Sequence, residues 1–377
     1  MERVILTTGG TGGHIFPALA VAEEIRARNP LARILFVGGR RGAEAELAAR
    51  AGLEFVSLPV SPILGRGLKA VAALAGLGRG ILGAFRILQE FKPDVVLGFG
   101  GYAAFSSVMA AVLTKRQTAI HEQNSIPGLT NRVLGRYVKR IFLSFPDTRK
   151  IFDPAKTMIT GNPVRAAIRH CADMIDKAPQ PTAKRPDRLL ILGGSQGAMA
   201  VNTAICDALP ELARAKVEIR HQAGKLDLNR TREAYNAKGQ NQNAVSEFID
   251  DMAEAYAWAD LVVCRAGATT LAEVTVAGKP CIFIPFPFAT HNHQVENARF
   301  MERAGAALCI EQREFEHRNL AAAILALLGD RTRLESMGKA ARTQGKPYAA
   351  TVLASQLEIM TERKQHLISD EAKWIKE

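Results

Sequence analysis

Two glycine-rich stretches carry the residue types best suited to gripping phosphate. The first, Gly9-Gly10-Thr11-Gly12-Gly13, runs directly into His14, and the second is Gly193-Gly194-Ser195-Gln196-Gly197. A glycine turn between a strand and a helix lets backbone N–H groups close on an anion, and the positive end of the helix dipole adds to the attraction. A third stretch, Cys264-Arg265-Ala266-Gly267-Ala268-Thr269-Thr270-Leu271-Ala272-Glu273, places small residues at a helix start predicted at Ala268. The carboxylate of Glu273 then falls about one and a half turns into that helix. Such a start can hold a diphosphate while the acid reaches vicinal ribose hydroxyls. Polar residues gather again at His291-Asn292-His293-Gln294 and Asn297, soon after Pro285-Phe286-Pro287. A histidine ordinarily titrates near 6.5 and can take a proton at neutral pH, which makes His14 the first candidate base. Glu122, within His121-Glu122-Gln123-Asn124, is the second. The plain alternatives for these residues are tight turns, helix caps and orientation of a loop.

Such groups act only if a scaffold positions them. Short apolar runs over 4–6, 34–37, 95–97 and 118–121 read as buried strands, alternating with helical periodicity over 17–28, 43–51 and 106–113. The pattern restarts downstream, with strands over 189–192, 217–220, 261–264 and 281–284, then helical sequence over 318–328 and a helical tail to 377. The glycine pairs that follow the first strand of each half lie 184 positions apart. The reading is an α/β protein of two doubly wound parallel-sheet domains. A length of 377 residues suits two such domains. Their join is placed between Gly161 and Arg188, where Pro163, Pro179, Pro181 and Pro186 collect among charged residues.

Composition narrows the chemistry. Lys and Arg number 49 against 37 Asp and Glu, a net charge of +12 that favours anionic partners. Aromatic residues make up only 6%, with no basic–aromatic interleaving, so a nucleic-acid-binding role is disfavoured. Cys171, Cys206, Cys264, Cys281 and Cys309 form no CxxC pair, which argues for reduced thiols and against zinc. The start lacks the core of a secretory signal and no apolar run reaches about 18 residues, so a cytoplasmic protein is expected, meeting any membrane from its surface. A nicotinamide fingerprint fits poorly: the third glycine position falls on Ile15, and the second strand ends in Gly38-Gly39-Arg40-Arg41, with no acid for a ribose. Arg40 and Arg41 could instead meet a 2′-phosphate. A P-loop is excluded because GxxxxGK[ST] is absent.

GGTGGHIFPALAVA, GFGGY, HEQNSIPGLTNR, GNPVR, GGSQGA, EFIDDMAEAYAWADLVVCRAGATTLAE and HNHQVENA occur here in order. Together they resemble the MurG family of peptidoglycan N-acetylglucosaminyltransferases, over roughly residues 1 to 345. The resemblance implies a GT-B architecture, two Rossmann-like domains facing across a cleft. It places an acceptor and membrane-side domain at 1–165, with a C-terminal helix over about 345–377 packing back on it, and a UDP-sugar domain at 166–344. It further implies inverting transfer from UDP-N-acetylglucosamine to the muramyl 4-hydroxyl of undecaprenyl-diphospho-muramyl-pentapeptide, in cell-wall biogenesis. The implied location is the cytoplasmic face of the bacterial inner membrane, peripherally bound to an anionic surface, with other cell-wall synthesis proteins as possible partners. UDP-N-acetylglucosamine 2-epimerases and glycolipid synthases are the alternatives within the fold. By resemblance, substrate contacts fall on Thr11, Gly12, Gly13, Asn124, Arg165, Ser195, the backbone at Ile249, Ala268, Thr269, Thr270, Leu271, Ala272, Glu273 and Gln294. No DxD motif occurs, so neither metal nor cofactor is required by the sequence and backbone amides are expected to carry leaving-group charge. The acceptor side is expected at Gly100, Gly101 and Tyr102. A membrane rim is expected at Leu74, Leu77, Arg79, Ile81, Leu82 and Phe85, where Gly76, Gly78, Gly80 and Gly83 argue for a loop-like segment.

Overall fold

The structure, a computed structural model, describes residues 1–10, 12–40, 42–60, 68–177, 185–194, 197–289, 292–314 and 319–374. Side chains of 68–75, 172–177 and 363–374 lie outside the described set. Contacts divide the chain into two compact units, Met1–Arg165 with Tyr348–Glu377, and Ala166–Pro347.

In the first unit the order is β1 (Arg3–Thr7), α1 (Gly12–Arg28), β2 (Arg33–Gly39), α2 (Glu44–Arg50), β3 (Glu54–Leu58), α3 (Leu68–Phe91), β4 (Val95–Gly98), α4 (Gly101–Leu113), β5 (Gln117–Glu122), α5 (Leu129–Leu134), β6 (Arg140–Leu143) and β7 (Thr157–Ile159). The seven strands are all parallel, in the order β3-β2-β1-β4-β5-β6-β7. Helices cover both faces, so Val4, Leu6, Val95, Leu97 and Ala119 are wholly buried. Each buried large aliphatic contributes about 1.5–3 kcal/mol.

The second unit runs α6 (Ala166–Lys177), β8 (Arg188–Leu192), α7 (Met199–Arg214), β9 (Glu218–Gln222), α8 (Leu228–Ala237), β10 (Val245–Ser246), α9 (Met252–Trp258), β11 (Leu261–Cys264), α10 (Ala268–Val276), β12 (Cys281–Phe283), α11 (His293–Arg303), β13 (Ala307–Cys309), α12 (Leu320–Leu328) and α13 (Arg331–Gln344). Its six strands are again parallel, in the order β10-β9-β8-β11-β12-β13. The last helix, α14 (Ala349–Trp374), belongs to the first unit. There Leu353, Ala354, Leu357 and Met360 enter the core beside α1, and the Arg28 guanidinium donates to Ser355, Glu358 and the Thr351 carbonyl.

Both sheets change winding direction between their first and fourth strands, at β1/β4 and at β8/β11. In doubly wound sheets ligands bind outside the strand ends at such a point. The two glycine-rich stretches follow β1 and β8, and Arg265-Ala266-Gly267 follows β11.

Two local expectations are corrected. The segment with Gly76, Gly78, Gly80 and Gly83 is continuous helix, α3, rather than a loop-like rim. Packing explains it: a methyl on Gly80 would collide with Val60 and stand 2.7 Å from Ser106 Oγ, and one on Gly83 would stand 3.2 Å from Leu58. Gly80 and Gly83 thus let α3 lie close on its neighbours, which offsets their weak helix propensity, whereas Gly76 and Gly78 face open space. The joining segment, read as linker between Gly161 and Arg188, contains α6, whose Ile168 and Cys171 are buried and whose Cys171 Sγ donates to the Ala253 carbonyl at 3.0 Å.

Candidate active site

In the first unit the helix begins at Gly12 rather than at 17, so Gly12, Gly13 and His14 form the first turn of α1. Thr11 lies outside the described residues. The preceding loop is held from two sides. Gly10 N–H donates to Glu44 Oε1 at 2.9 Å, and a methyl on Gly101 would meet Gly9 Cα at 2.7 Å. Gly101 has φ +84°, where an L side chain is strained, so glycine is needed there on both counts. Gly100, the residue before α4, has φ 103° and ψ 173°, a region essentially confined to glycine. A methyl there would stand 3.2 Å from His14 Cε1. The motif expected on the acceptor side therefore also makes room for the His14 ring. Tyr102 follows in the first turn of α4, half-buried.

His14 Nδ1 is 2.8 Å from Gln123 Oε1, just past the end of β5. Gln123 in turn reaches His121 Nδ1 at 3.1 Å, and His121 Nε2 meets the Gly161 carbonyl at 3.0 Å. His121 is fully buried, and burial pushes its pKa down to about 4 despite the Gly161 hydrogen bond. It is neutral at pH 7.

Glu122, the second candidate base, is committed elsewhere. One carboxylate oxygen accepts from Asn124 N and Nδ2 at 3.0 and 3.2 Å, the other from Gly128 N and Asn131 Nδ2 at 3.0 and 2.9 Å. Four donors on a buried carboxylate describe a group that shapes the 124–128 loop, with Asn124 fixed by it. Arg165 lies with its guanidinium 5.0 Å over the Phe16 ring, on the side chain two residues past His14.

Of the expected rim, Ile81 and Phe85 pack against the first unit's core, Leu77 is half-buried, and Leu82 is 65% exposed with Arg79 also outward. The side chain of Leu74 lies outside the described residues. No helix among the described residues is long and apolar enough to cross a membrane.

In the second unit, Gly193, Gly197, Ala198, Arg265, Phe286 and Gln294 contribute to the lining of a cavity of about 450 Å³. Ser195 lies outside the described residues. Gly197, at φ +88°, approaches Ala223 and Gly224, which sets the turn. Three residues past Arg265, α10 begins at Ala268, as predicted, with Gly267 before it and no capping side chain. The amides of Ala268, Thr269 and Thr270 thus carry the positive end of the helix. Leu271 and Ala272 are buried on its inner face, and Glu273, 7% exposed, accepts from the Tyr256 hydroxyl at 3.2 Å. Gln294 Oε1 accepts from Phe286 N at 3.0 Å, which turns its amide nitrogen to other partners. Ile249 N–H donates to Gln222 Oε1 at 3.1 Å, so its amide is already engaged.

The families of known proteins decide between the readings. The N-terminal domain model of glycosyltransferase family 28 matches residues 4–143, and its C-terminal domain model matches residues 188–353. The chain is 56% identical, over 95% of its own length and 97% of the relative's, to the UDP-N-acetylglucosamine–N-acetylmuramyl-(pentapeptide) pyrophosphoryl-undecaprenol N-acetylglucosamine transferase of Nitratidesulfovibrio vulgaris. A relative of the same name from Lawsonia intracellularis is 46% identical over 94% of this chain and 96% of its own. The crystal structure of Acinetobacter baumannii MurG superposes with a TM-score of 0.73 at 31% identity, covering 95% of this chain and 99% of that one. The chain belongs to the MurG family of glycosyltransferases. Its fold is GT-B. A UDP-GlcNAc 2-epimerase from Neisseria meningitidis, bound to UDP-GlcNAc, reaches a TM-score of 0.67 over 94% of this chain and 99% of that one, but at 14% identity it shares the fold alone.

Three residues of this MurG-family chain escaped the sequence reading. Arg265 directly follows β11 and donates to the carbonyls of Ile284 and Pro285 at 3.1 Å each and to Gln312 Oε1 at 3.1 Å. Its guanidinium lies 5.4 Å over Phe286, and burial lowers its pKa to about 10, so it remains a cation at neutral pH. Its place at a strand end before Ala-Gly was the available signal. Glu44 is buried behind Gly10, and Gln123 sits between two histidines. Neither position has a local pattern that marks it.

Proposed function

We propose that this enzyme transfers N-acetylglucosamine from UDP-N-acetylglucosamine to the 4-hydroxyl of the muramyl sugar in undecaprenyl-diphospho-muramyl-pentapeptide, with inversion at the anomeric carbon. The muramyl oxygen forms a bond to C1 as the C1–O bond to the β-phosphate breaks. The hydroxyl proton passes to His14, and UDP leaves with the bonding pair. One observation carries the assignment: His14 is held through Nδ1 at the first unit's winding change, and its Nε2 has no hydrogen-bond partner among the described residues. Its placement suits a general base.

The second unit takes the nucleotide. The first-turn amides of α10 and the Arg265 cation hold the diphosphate and stabilise its growing charge. Glu273 receives the ribose hydroxyls, the Ile249 carbonyl meets the base, and the Gln294 amide nitrogen meets the sugar. On the first unit, Gly12, Gly13, Asn124 and Arg165 serve the substrate, and Gly100, Gly101 and Tyr102 the acceptor. Leu82 and Arg79 of α3 face an anionic membrane surface, to which the protein binds peripherally. The reading requires no resident cofactor.

The test is transfer of radiolabelled sugar from UDP-N-acetylglucosamine to a lipid-linked muramyl-pentapeptide, with other sugar nucleotides as controls. Labelled lipid from this donor only supports the assignment. Donor consumption without acceptor, yielding an epimer, would replace it.

A further inference from the structure

The hydrogen bonds behind His14 form a chain whose direction is set at one end. The Gly161 carbonyl can only accept. His121 Nε2, 3.0 Å away, therefore carries the proton, and because this buried ring is neutral its Nδ1 is bare. Gln123 answers with its amide nitrogen, which lies 3.1 Å from His121 Nδ1 and 3.2 Å from the His121 carbonyl, two acceptors for its two hydrogens. The opposite amide orientation would aim a carbonyl oxygen at both acceptors. Gln123 Oε1 is thereby directed at His14 Nδ1, 2.8 Å away, where only an N–H fits.

We infer that Gln123 is a positioning residue: it transmits the fixed orientation of His121 to His14, places the His14 proton on Nδ1 and keeps Nε2 bare. Gly100 leaves the room this ring position needs, since a methyl there would stand 3.4 Å from His14 Nδ1. A glutamine at this point does something a carboxylate would not. It selects the tautomer without adding a negative charge, so the proton gained in the reaction is not trapped on the ring by an adjacent anion.

The inference rests on the proposed role of His14 as base, and the measurements separate the two. In full-length protein labelled with ¹⁵N-histidine, the His14 resonances are assigned by their loss in His14→Ala and read at neutral pH. The expected signature is a protonated Nδ1 and an unprotonated Nε2; a protonated Nε2 overturns the inference without reference to any variant's folding. In Gln123→Met, which keeps the length of the side chain but can donate and accept nothing comparable, the His14 tautomer shifts toward a mixture. Turnover at saturating substrates falls roughly tenfold to a hundredfold, within the range a general base supplies, and UDP affinity is unchanged. Gln123→Glu restores the acceptor for His14 Nδ1–H and recovers the tautomer of His14, at a cost in stability because its second oxygen faces the bare His121 Nδ1 and the His121 carbonyl. Its added charge moves the acid limb of the kcat profile to higher pH. A Gln123→Met protein with the wild-type His14 tautomer overturns the inference. Full turnover in His14→Ala would instead sink the base assignment while leaving the tautomer result standing.

Discussion

Gly100→Ala tests the placement of His14 at a residue whose own side chain does no chemistry. The alanine must hold φ 103° and ψ 173°, a conformation that costs a non-glycine residue about 1–3 kcal/mol. Its methyl would stand 3.2 Å from His14 Cε1 and 3.4 Å from Nδ1, so the ring must move by a few tenths of an ångström. The Nδ1 contact to Gln123 is 2.8 Å, and such a hydrogen bond contributes about 0.5–1.5 kcal/mol net. If the displaced ring loses that bond and part of its alignment, about 1.4–2.8 kcal/mol of transition-state stabilisation goes, which is about ten- to a hundredfold in kcat. The assay is steady-state transfer at saturating donor and acceptor, with UDP titration and urea unfolding on the same protein. UDP affinity should match wild type, because the groups proposed to hold the nucleotide belong to the second unit, while stability falls by about 1–3 kcal/mol. A folded Gly100→Ala enzyme with wild-type kcat would refute the argument that this glycine exists to seat His14.

Four other perturbations follow from the same geometry. His14→Ala should lower kcat roughly a hundredfold or more while leaving UDP affinity intact, and near-normal turnover would remove it as base. Glu273→Gln keeps the shape of a buried side chain but weakens charge-assisted acceptance from ribose; UDP binding by calorimetry should weaken about tenfold to a hundredfold, against unchanged affinity if the ribose role is wrong. Because the folded-state pKa of His121 is about 4 against an ordinary 6.5, the unfolded chain takes up the proton first as acid is added. Stability should therefore fall between pH 6.5 and 4 by up to about 3 kcal/mol from this residue, and urea titrations of His121→Asn should lack that component. Leu353→Ala, at a wholly buried site on α14, should destabilise the first unit by about 2–5 kcal/mol, whereas a dispensable tail would show none of this in thermal unfolding.

The parts of this fold that were legible in the sequence are those written locally. Val4-Ile5-Leu6 and Leu189-Leu190-Ile191-Leu192 read as buried strands because short apolar runs ending in glycine turns suit a sheet covered on both faces, and Ala268 read as a helix start because small residues followed a strand. Elements whose logic is tertiary were not. Gly80 and Gly83 looked like helix breakers until Val60, Ser106 and Leu58 were found against them. Charged sequence around four prolines concealed α6, whose apolar face is defined by Ala253 and its neighbours far along the chain. The site shows the same division. His14 and Glu273 stood out by type and by motif, but Glu122 stayed in reserve as a second base, and its four hydrogen-bond donors are what commit it to the loop. Gln123 acquires meaning from Gly161, 38 residues later, and that distance leaves no trace in spacing.

The most direct measurement is the stereochemistry of the sugar bond made from donor labelled with ¹³C at the anomeric carbon. The enzyme, given this donor and lipid-linked muramyl-pentapeptide, should yield a product whose anomeric carbon is bonded to the muramyl 4-oxygen in the β configuration, with UDP released in equal amount. An α-linked product, or label recovered only as free sugar or epimerised nucleotide, would contradict single displacement assisted by His14.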